Sequence, residues 1–237
     1  VMLVCVAGAG VLAQTTRERA RAQNKLGWED MTAEAWEKAA RSFQNAIDID
    51  PEFEIPHYGL GRANMALKKF DAAIAAYERC RSLYRAQAGR KFTTAQEAQR
   101  YRRDRITEID EQLREVQSRP MTAARSDMVR QLQNQRRDIQ ESIQRGDDMA
   151  IASNVPPWVS LALGSAYFRA GRMIDAEREY KATIAADNRS GEAHTNLAVV
   201  FLETGRVLDA LNEINAAKRT GFKVNPELEK AIRERAK

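Results

Sequence analysis

Cysteine, proline and long apolar runs are all scarce in this sequence. It contains two cysteines, Cys5 and Cys80, and six prolines in 237 residues. Two cysteines exclude the disulfide framework that holds many small secreted domains together. The low proline content, with abundant Ala, Arg, Glu and Gln, favours helix throughout, and we expect almost no strand. The chain has no apolar run of the length that an ordinary membrane span requires, which is about 18 residues or more.

The motifs of the common catalytic and metal sites are also missing. The sequence has no glycine-rich phosphate loop, no HExxH, no GxSxG and no CxxC. The two histidines, His57 and His194, each lie three residues before a leucine, and this placement is typical of residues that pack between helices. Asp147 and Asp148 form an isolated acidic pair. The sequence therefore predicts a protein that is not an enzyme, with no metal and no cofactor.

The net charge of +5 comes from one stretch of the chain. Residues 85–145 carry 14 Arg plus Lys against 9 Asp plus Glu, which accounts for the whole excess. Because acids interrupt the basic residues, this pattern is more typical of a solvated helix surface than of a nucleic-acid site. Within the stretch, Arg100, Arg102, Arg103 and Arg105 surround Tyr101, and binding of nucleic acid or anionic lipid is the alternative interpretation.

The first residues of the chain resemble an export signal. Residues 1–13 are apolar or small and end in Val11-Leu12-Ala13, which fits the small-residue pattern of a signal-peptidase site. This pattern predicts a signal-peptide remnant and a periplasmic or secreted bacterial protein. An uncleaved inner-membrane anchor is the alternative, although such an anchor needs about 20 apolar residues. After cleavage Cys80 would be the remaining cysteine, and we expect it to pack in a helix.

A pattern with a 34-residue period occurs twice. Leu26-Gly27 is followed by Leu60-Gly61, and Leu163-Gly164 is followed by Leu197-Ala198. Twelve residues after each small residue comes an alanine, and sixteen residues after it comes a large apolar residue. Small and large positions alternate because packed helices must interlock. The predicted packing residues are Leu26, Gly27, Ala39, Phe43, Leu60, Gly61, Ala73, Tyr77, Leu163, Gly164, Ala176, Tyr180, Leu197, Ala198, Ala210 and Ile214.

These slots resemble the tetratricopeptide repeat (TPR), over residues 20–87 and 157–224. The resemblance implies an all-α solenoid of four helix-turn-helix repeats, in which the first helices line a concave groove that binds a peptide. The Lys/Asn/Arg set of carboxylate-binding chaperone TPRs is absent. The groove positions that the resemblance implies are Asn24, Trp28, Tyr58, Arg62, Met65, Trp158, Leu161, Ser165, Phe168 and Thr195. The alternative is that some of these aromatic residues pack against the segment between the two repeat pairs.

That intervening segment, residues 88–156, predicts a helical hairpin rather than two degenerate repeats. Thr94-Ala95-Gln96-Glu97 is a capping box, and no Gly or Pro interrupts the following residues up to Ser118. A second uninterrupted stretch covers residues 122–145. Apolar residues recur at coiled-coil spacing in both helices, at Ile106, Ile109, Leu113 and Val116 and at Val129, Leu132, Ile139 and Ile143. The sequence leaves open whether this arm fills the groove or projects from it.

The predicted order is therefore a signal remnant at 1–13, a repeat pair at 14–87, the arm at 88–156, a second repeat pair at 157–224 and a capping helix at 225–237. Asn225-Pro226-Glu227 is a helix start, and solenoids need such a lid. The function predicted is a non-catalytic scaffold that binds a peptide segment of a partner protein. Self-assembly into a homo-oligomer through residues 92–148, or regulation of a larger protein, are the alternatives.

Overall fold

A computed structural model describes residues 5–87, 92, 94–118, 123–145 and 155–236. Among these residues the regular structure is entirely helical, with no strand, as the composition predicts. The helices are α1 (Cys5–Thr32), α2 (Trp36–Ile49), α3 (Glu54–Ala66), α4 (Phe70–Gln87), α5 (Ala95–Gln117), α6 (Ala123–Arg145), α7 (Pro157–Arg169), α8 (Met173–Ala186), α9 (Gly191–Glu203), α10 (Val207–Arg219) and α11 (Pro226–Arg235). The chain divides into two compact units, Val1–Ala88 and Gly89–Lys237.

The first compact unit contains two helix-turn-helix repeats, which we call the N-terminal pair. Helix α1 packs on α2, α2 on α3, and α3 on α4, so each helix contacts the next along the chain. The turns inside the repeats are tight. Glu34 and Lys68 both have φ of 58°, and the amide of Lys69 donates to the carbonyl of Asn64 at 2.9 Å, which satisfies the last turn of α3.

The second compact unit contains the C-terminal pair, formed by α7, α8, α9 and α10 packed in the same consecutive order. Gly171 and Gly205 supply the left-handed turns inside its repeats, with φ of 76° and 77°. Helix α11 packs on α10, and the side chain of Asn225 accepts a hydrogen bond from the amide of Glu227 at 2.8 Å. The predicted capping helix is therefore confirmed. Its buried anchor is Ile232.

Helices α5 and α6 pack against each other as the predicted hairpin, which we call the arm. Each helix has 23 residues, or about 35 Å at 1.5 Å per residue. The amide of Glu97 donates to Thr94 Oγ1 at 3.1 Å, so the predicted cap is present. The seam between the helices is filled by Ile109, Leu113, Val116 and Leu132, with Val129 and Ile139 packed beside them.

Helix α1 runs without interruption from Cys5 to Thr32, past the predicted cleavage position. The described helices include none with the length and apolar character of a membrane-spanning segment. Several predictions concern residues outside the described ones, namely the start of the signal segment at Val1–Val4, the break between the arm helices at Arg119 and Pro120, and the acidic pair at Asp147 and Asp148.

The predicted packing slots lie where two helices of a repeat approach closely. A Cβ built on Gly27 would come within 2.5 Å of the Phe43 ring, one on Gly61 within 2.4 Å of the Tyr77 ring, and one on Gly164 within 2.8 Å of the Tyr180 ring. All predicted packing residues except Leu26 and Leu60 are buried. Leu60 is half-buried.

Leu26 is the exception that corrects the prediction. Its side chain is 46% exposed, although it precedes the buried Gly27. Along α1 the buried side chains are Asn24, Trp28 and Met31, which recur at helical spacing and so define one face. Leu26 lies on the other side of the helix. It is therefore not a packing residue.

His57 gives the first compact unit a predicted dependence on pH. The imidazole is buried, its Nε2 lies 3.1 Å from the carbonyl oxygen of Pro51, and burial lowers its pKa because the charged form is poorly solvated there. Below about pH 6.5 the unfolded chain takes up a proton that the folded chain does not, so stability falls as pH falls toward the lower folded-state pKa. Urea unfolding should show a lower midpoint at pH 5.5 than at pH 7.5.

The matched variant for this prediction is His57→Gln, which keeps a side-chain donor for the Pro51 carbonyl and removes the titration. The variant should show a smaller difference between the two midpoints than the wild type. An equal difference in both proteins would exclude His57 as the source of the pH dependence.

Candidate peptide-binding surfaces

A row of aromatic rings crosses the N-terminal pair. The Trp28 ring meets the edge of Phe43 with centroids 5.0 Å apart and lies 6.3 Å from Tyr58, whose ring lies 5.5 Å from Tyr77. Trp28 and Tyr58 come from the first helices of successive repeats, and Phe43 and Tyr77 come from the second helices. The row therefore joins all four helices of the pair. It contributes packing energy beyond area burial, since such aromatic pairs are worth about 0.5–1.5 kcal/mol.

Three predicted groove residues in this pair are buried. The exposed fractions of Asn24, Trp28 and Tyr58 are 1%, 5% and 5%. Asn24 Oδ1 and Trp28 Nε1 have no hydrogen-bond partner among the described residues, and the two residues are one helical turn apart. Together they offer one acceptor and one donor, which matches the polar groups of a main-chain amide. Their burial nevertheless removes them from the accessible surface.

The accessible groove positions of the N-terminal pair are Arg62 and Met65, which are half-buried. The guanidinium of Arg62 lies over the Trp28 ring at 5.7 Å from the centroid. A cation within about 6 Å of an indole face is attracted to it, so Arg62 is positioned by Trp28. Trp28 thus supports the surface without being part of it.

The C-terminal pair places its predicted groove residues differently. Trp158 is buried at 3% exposure, whereas Leu161, Ser165 and Phe168 are half-buried. These three recur at positions i, i+4 and i+7 of α7, so they share one face of the helix. The half-buried Thr195 occupies the position in α9 that Leu161 occupies in α7, 34 residues earlier.

Hydrogen bonds orient the hydroxyl groups on this face. Ser165 Oγ donates to the Leu161 carbonyl at 3.0 Å and accepts from the Tyr180 hydroxyl at 3.2 Å. Burial raises the pKa of Tyr180 to about 12, against the opposing effect of the Ser165 hydrogen bond, so the phenol stays protonated as a donor. Thr195 Oγ1 donates to the Gly191 carbonyl at 2.8 Å. The sequence pattern predicted Tyr180 only as a packing residue and did not reveal this contact.

The structure therefore separates the ten predicted groove residues into two groups. Those whose side chains are buried are Asn24, Trp28, Tyr58 and Trp158, and those that are half-buried are Arg62, Met65, Leu161, Ser165, Phe168 and Thr195. The described residues contain no cluster of three or more His, Cys, Asp or Glu able to hold a metal ion. What the half-buried set offers is apolar area, one cation and oriented hydroxyl oxygens.

Comparison with curated proteins finds no significant match to this sequence. Among solved structures, the chain is similar to PilW, a type IV pilus biogenesis factor, with 15% identity over 92% of this chain and 86% of that chain and a TM-score of 0.42. It is also similar to a thermophilic TPR protein of Thermus thermophilus, with 16% identity over 92% and 98% of the two chains and a TM-score of 0.37. A third is YrrB, a TPR protein with an unusual peptide-binding site, with 12% identity, 94% and 97% coverage and a TM-score of 0.32.

The match to a protein family is more specific than these similarities. A family model described as tetratricopeptide repeat matches residues 24–91 and 161–221, which together make up more than half of the chain. These two matches fall on the N-terminal and C-terminal pairs and leave the arm unmatched. Proteins of this family are generally non-enzymatic scaffolds for other proteins. The chain belongs to the tetratricopeptide-repeat family.

Proposed function

We propose that this protein is a non-catalytic scaffold that binds a peptide segment of a partner protein on the first helices of its C-terminal pair. The observation that carries the proposal is the half-buried face of Leu161, Ser165 and Phe168 on α7. Concave surfaces of repeat arrays are the usual binding surfaces, and the first helices line them in this family. The same positions in the N-terminal pair are mostly buried, so they contribute packing instead.

The chemistry of this face fits a segment with apolar side chains and accessible main-chain groups. Leu161 and Phe168 supply apolar area for the side chains. The hydroxyl oxygens of Ser165 and Thr195 each retain acceptor capacity, because a hydroxyl oxygen has two lone pairs. They can therefore accept hydrogen bonds from main-chain N–H groups of a bound segment. A partner held in this way needs no terminal carboxylate.

The packing of the arm does not favour self-assembly. The apolar residues that would pair with another copy, Ile109, Leu113, Val116 and Leu132, already pack within the hairpin. Across the two helices Arg136 Nε also lies 2.9 Å from Asp110 Oδ1. A pairing of arms between copies would first have to replace these contacts.

Capture experiments with full-length variants test the proposal. The double variant Leu161→Ser/Phe168→Ser should bind the partner at least about tenfold more weakly, since each side chain loses on the order of 1–2 kcal/mol of apolar contact. The partner would first be identified by quantitative mass spectrometry of proteins captured by the wild-type chain from extracts of the producing cell. Binding of that partner would then be titrated against the variant.

The control is Ile184→Ser, which removes another half-buried apolar side chain, on α8 rather than on the proposed face. Its affinity should equal that of the wild type, and far-ultraviolet circular dichroism should be unchanged in all three proteins. Full affinity in the double variant would refute the proposed surface. So would an equal loss of affinity in the control.

A further inference from the structure

Two exposed apolar side chains occupy the same position in the two repeats of the C-terminal pair. Ile174 is 84% exposed and Leu208 is 69% exposed, and they lie 34 residues apart. Each is the second residue of its helix, since α8 begins at Met173 and α10 at Val207. They belong to the second helices of the repeats. The face proposed above belongs to the first helices, so these residues form a different surface.

The same position in the N-terminal pair carries an acid. It is Glu37 in α2 and Asp71 in α4, each the second residue of its helix. Acidic residues are favoured there because the helix N-terminus carries a partial positive charge. Ile174 and Leu208 therefore replace a stabilising residue type with exposed apolar side chains, twice, at repeat spacing. Helix stability does not explain that choice.

The turn before Ile174 is held by a network of side chains. Gly171 has a φ of 76°, and the guanidinium of Arg172 lies 4.5 Å from the centroid of the Tyr167 ring. Arg172 Nε donates to Asp175 Oδ2 at 2.8 Å. Ile174 lies between the two partners of this ion pair in the sequence. Its backbone is therefore fixed on both sides while its side chain faces solvent.

The turn before Leu208 repeats this construction. Gly205 has a φ of 77°, and the guanidinium of Arg206 lies 4.1 Å from the centroid of the Phe201 ring. Arg206 Nε donates to Asp209 Oδ2 at 2.9 Å. Two copies of one rigid turn thus present two apolar side chains. We call Ile174 and Leu208 together the turn patch.

The charges beside the turn patch are paired with one another. Arg178 lies 2.9 Å from Asp175, and Glu177 lies 2.7 Å from Lys181 and 2.9 Å from Arg206. Burial opposes ionisation of Glu177, but the hydrogen bonds from Lys181 and Arg206 outweigh it and lower its pKa. A patch bordered by mutually neutralised charges attracts neither a strongly acidic nor a strongly basic surface. It suits an apolar contact on a protein of mixed charge.

The spacing of the turn patch matches one face of an α-helix. The bond between Arg206 and Glu177 shows that the start of α10 lies beside α8, so their separation is about 10–12 Å, the width of a helix with its side chains. Residues seven positions apart on an α-helix share a face and are about 10.5 Å apart along its axis. Such a helix can therefore contact Ile174 and Leu208 together.

The size of the turn patch limits what can cover it. A stable interface between folded proteins buries roughly 800 Å² on each partner, which two aliphatic side chains fall far short of. Pairing of two copies through this patch alone would therefore be unstable. A short segment that supplies two apolar anchors needs much less area, because a few well-buried residues carry most of the binding energy.

We propose that the turn patch docks a short amphipathic helix of a protein partner, with apolar residues seven positions apart. This surface is separate from the face of α7, so either proposal can fail without the other. It gives the C-terminal pair two binding surfaces, one on its first helices and one at the starts of its second helices.

The test uses the full chain and two synthetic helical peptides of identical composition. One peptide carries its two leucines seven positions apart, on one face, and the other carries them nine positions apart, on opposite faces. Fluorescence anisotropy should show at least about tenfold tighter binding of the first peptide, because only it buries both leucines. The variant Ile174→Asp/Leu208→Asp should lose this preference.

This variant should keep its fold, because it installs at α8 and α10 the residue type that α4 already has at this position, in Asp71. Asn212→Asp, which adds the same charge at another exposed position of α10, should bind like the wild type. Equal binding of both peptides, or preference retained in the double Asp variant, would overturn the proposal. So would loss in that variant of a dimer or of binding to phosphatidylcholine vesicles, with no peptide preference in the wild type. Phe168→Ser, on the other surface, should leave peptide binding unchanged.

Discussion

Replacing Phe43 with alanine is expected to destabilise the protein by about 3–5 kcal/mol, near the upper end of what a single substitution causes. The side chain is fully buried. Its ring lies against the backbones of two helices, since a Cβ built on Gly27 or on Gly59 would come within 2.5 Å or 2.4 Å of it. It also receives the edge of Trp28 at 5.0 Å. Removing the ring would leave a cavity between α1, α2 and α3.

A loss of this size approaches the whole stability of many domains, which is about 5–15 kcal/mol. Urea unfolding followed by circular dichroism would measure it as a lower midpoint. The matched control is Phe70→Ala, because Phe70 is only half-buried at the start of α4. Its expected loss is clearly smaller. An equal loss in both variants would show that Phe43 has no special place between the two glycines.

The second large effect concerns the pairing of glycine with an aromatic ring. A Cβ built on Gly61 would lie 2.4 Å from the Tyr77 ring, which is itself buried. Gly61→Ala gains about 1 kcal/mol of helix propensity, but overpacking of a buried contact costs typically about 1–3 kcal/mol. We therefore expect net destabilisation from a substitution that normally stabilises a helix.

The fourth repeat shows the compensating change. At the corresponding positions it has Ala198 and Ile214, so its extra methyl group is matched by a narrower side chain. Adding Tyr77→Ile to Gly61→Ala should therefore recover stability relative to the sum of the two single changes. A double-mutant cycle should give a favourable coupling above about 1 kcal/mol. Strictly additive losses would mean that the close approach does not control this pair.

The fold was predictable because its slots obey a simple steric rule. Gly27, Gly61 and Gly164 each precede an aromatic residue by sixteen positions, and the structure shows each glycine against that ring. The rule involves two residues of one repeat, so a single sequence displays it. The helix ends were predictable for a similar reason, since caps such as Thr94 and Asn225 are local.

Burial on the first helices was harder to predict. The slot that holds Leu26 is buried at Leu163 and Leu197, because burial there depends on what packs on that side of the helix. The sequence also placed Trp28 and Tyr58 in an open groove, because their positions match those of groove residues. Their rings instead pack on rings from the second helices, a contact between residues whose side chains could equally have faced solvent.

The turn patch had a signal in the sequence that the repeat pattern did not reveal. Comparing the four repeats at the second residue of the second helix gives Glu37, Asp71, Ile174 and Leu208, and the change from acid to aliphatic is visible without a structure. The continuous α1 helix is a different case. Apolar export segments are themselves helical, so a helix from Cys5 onward does not distinguish such a segment from the first helix of a repeat.

Photocrosslinking from the face of α7 tests the central claim most directly. A photoreactive residue placed at Ser165 of the full chain, expressed in the producing cell, should crosslink to a partner protein through a segment with apolar side chains. The same residue placed at Ile184 on α8 should not crosslink to that segment. Equal crosslinking from both positions, or none from Ser165 while the wild-type chain still captures its partner, would contradict peptide binding on this face.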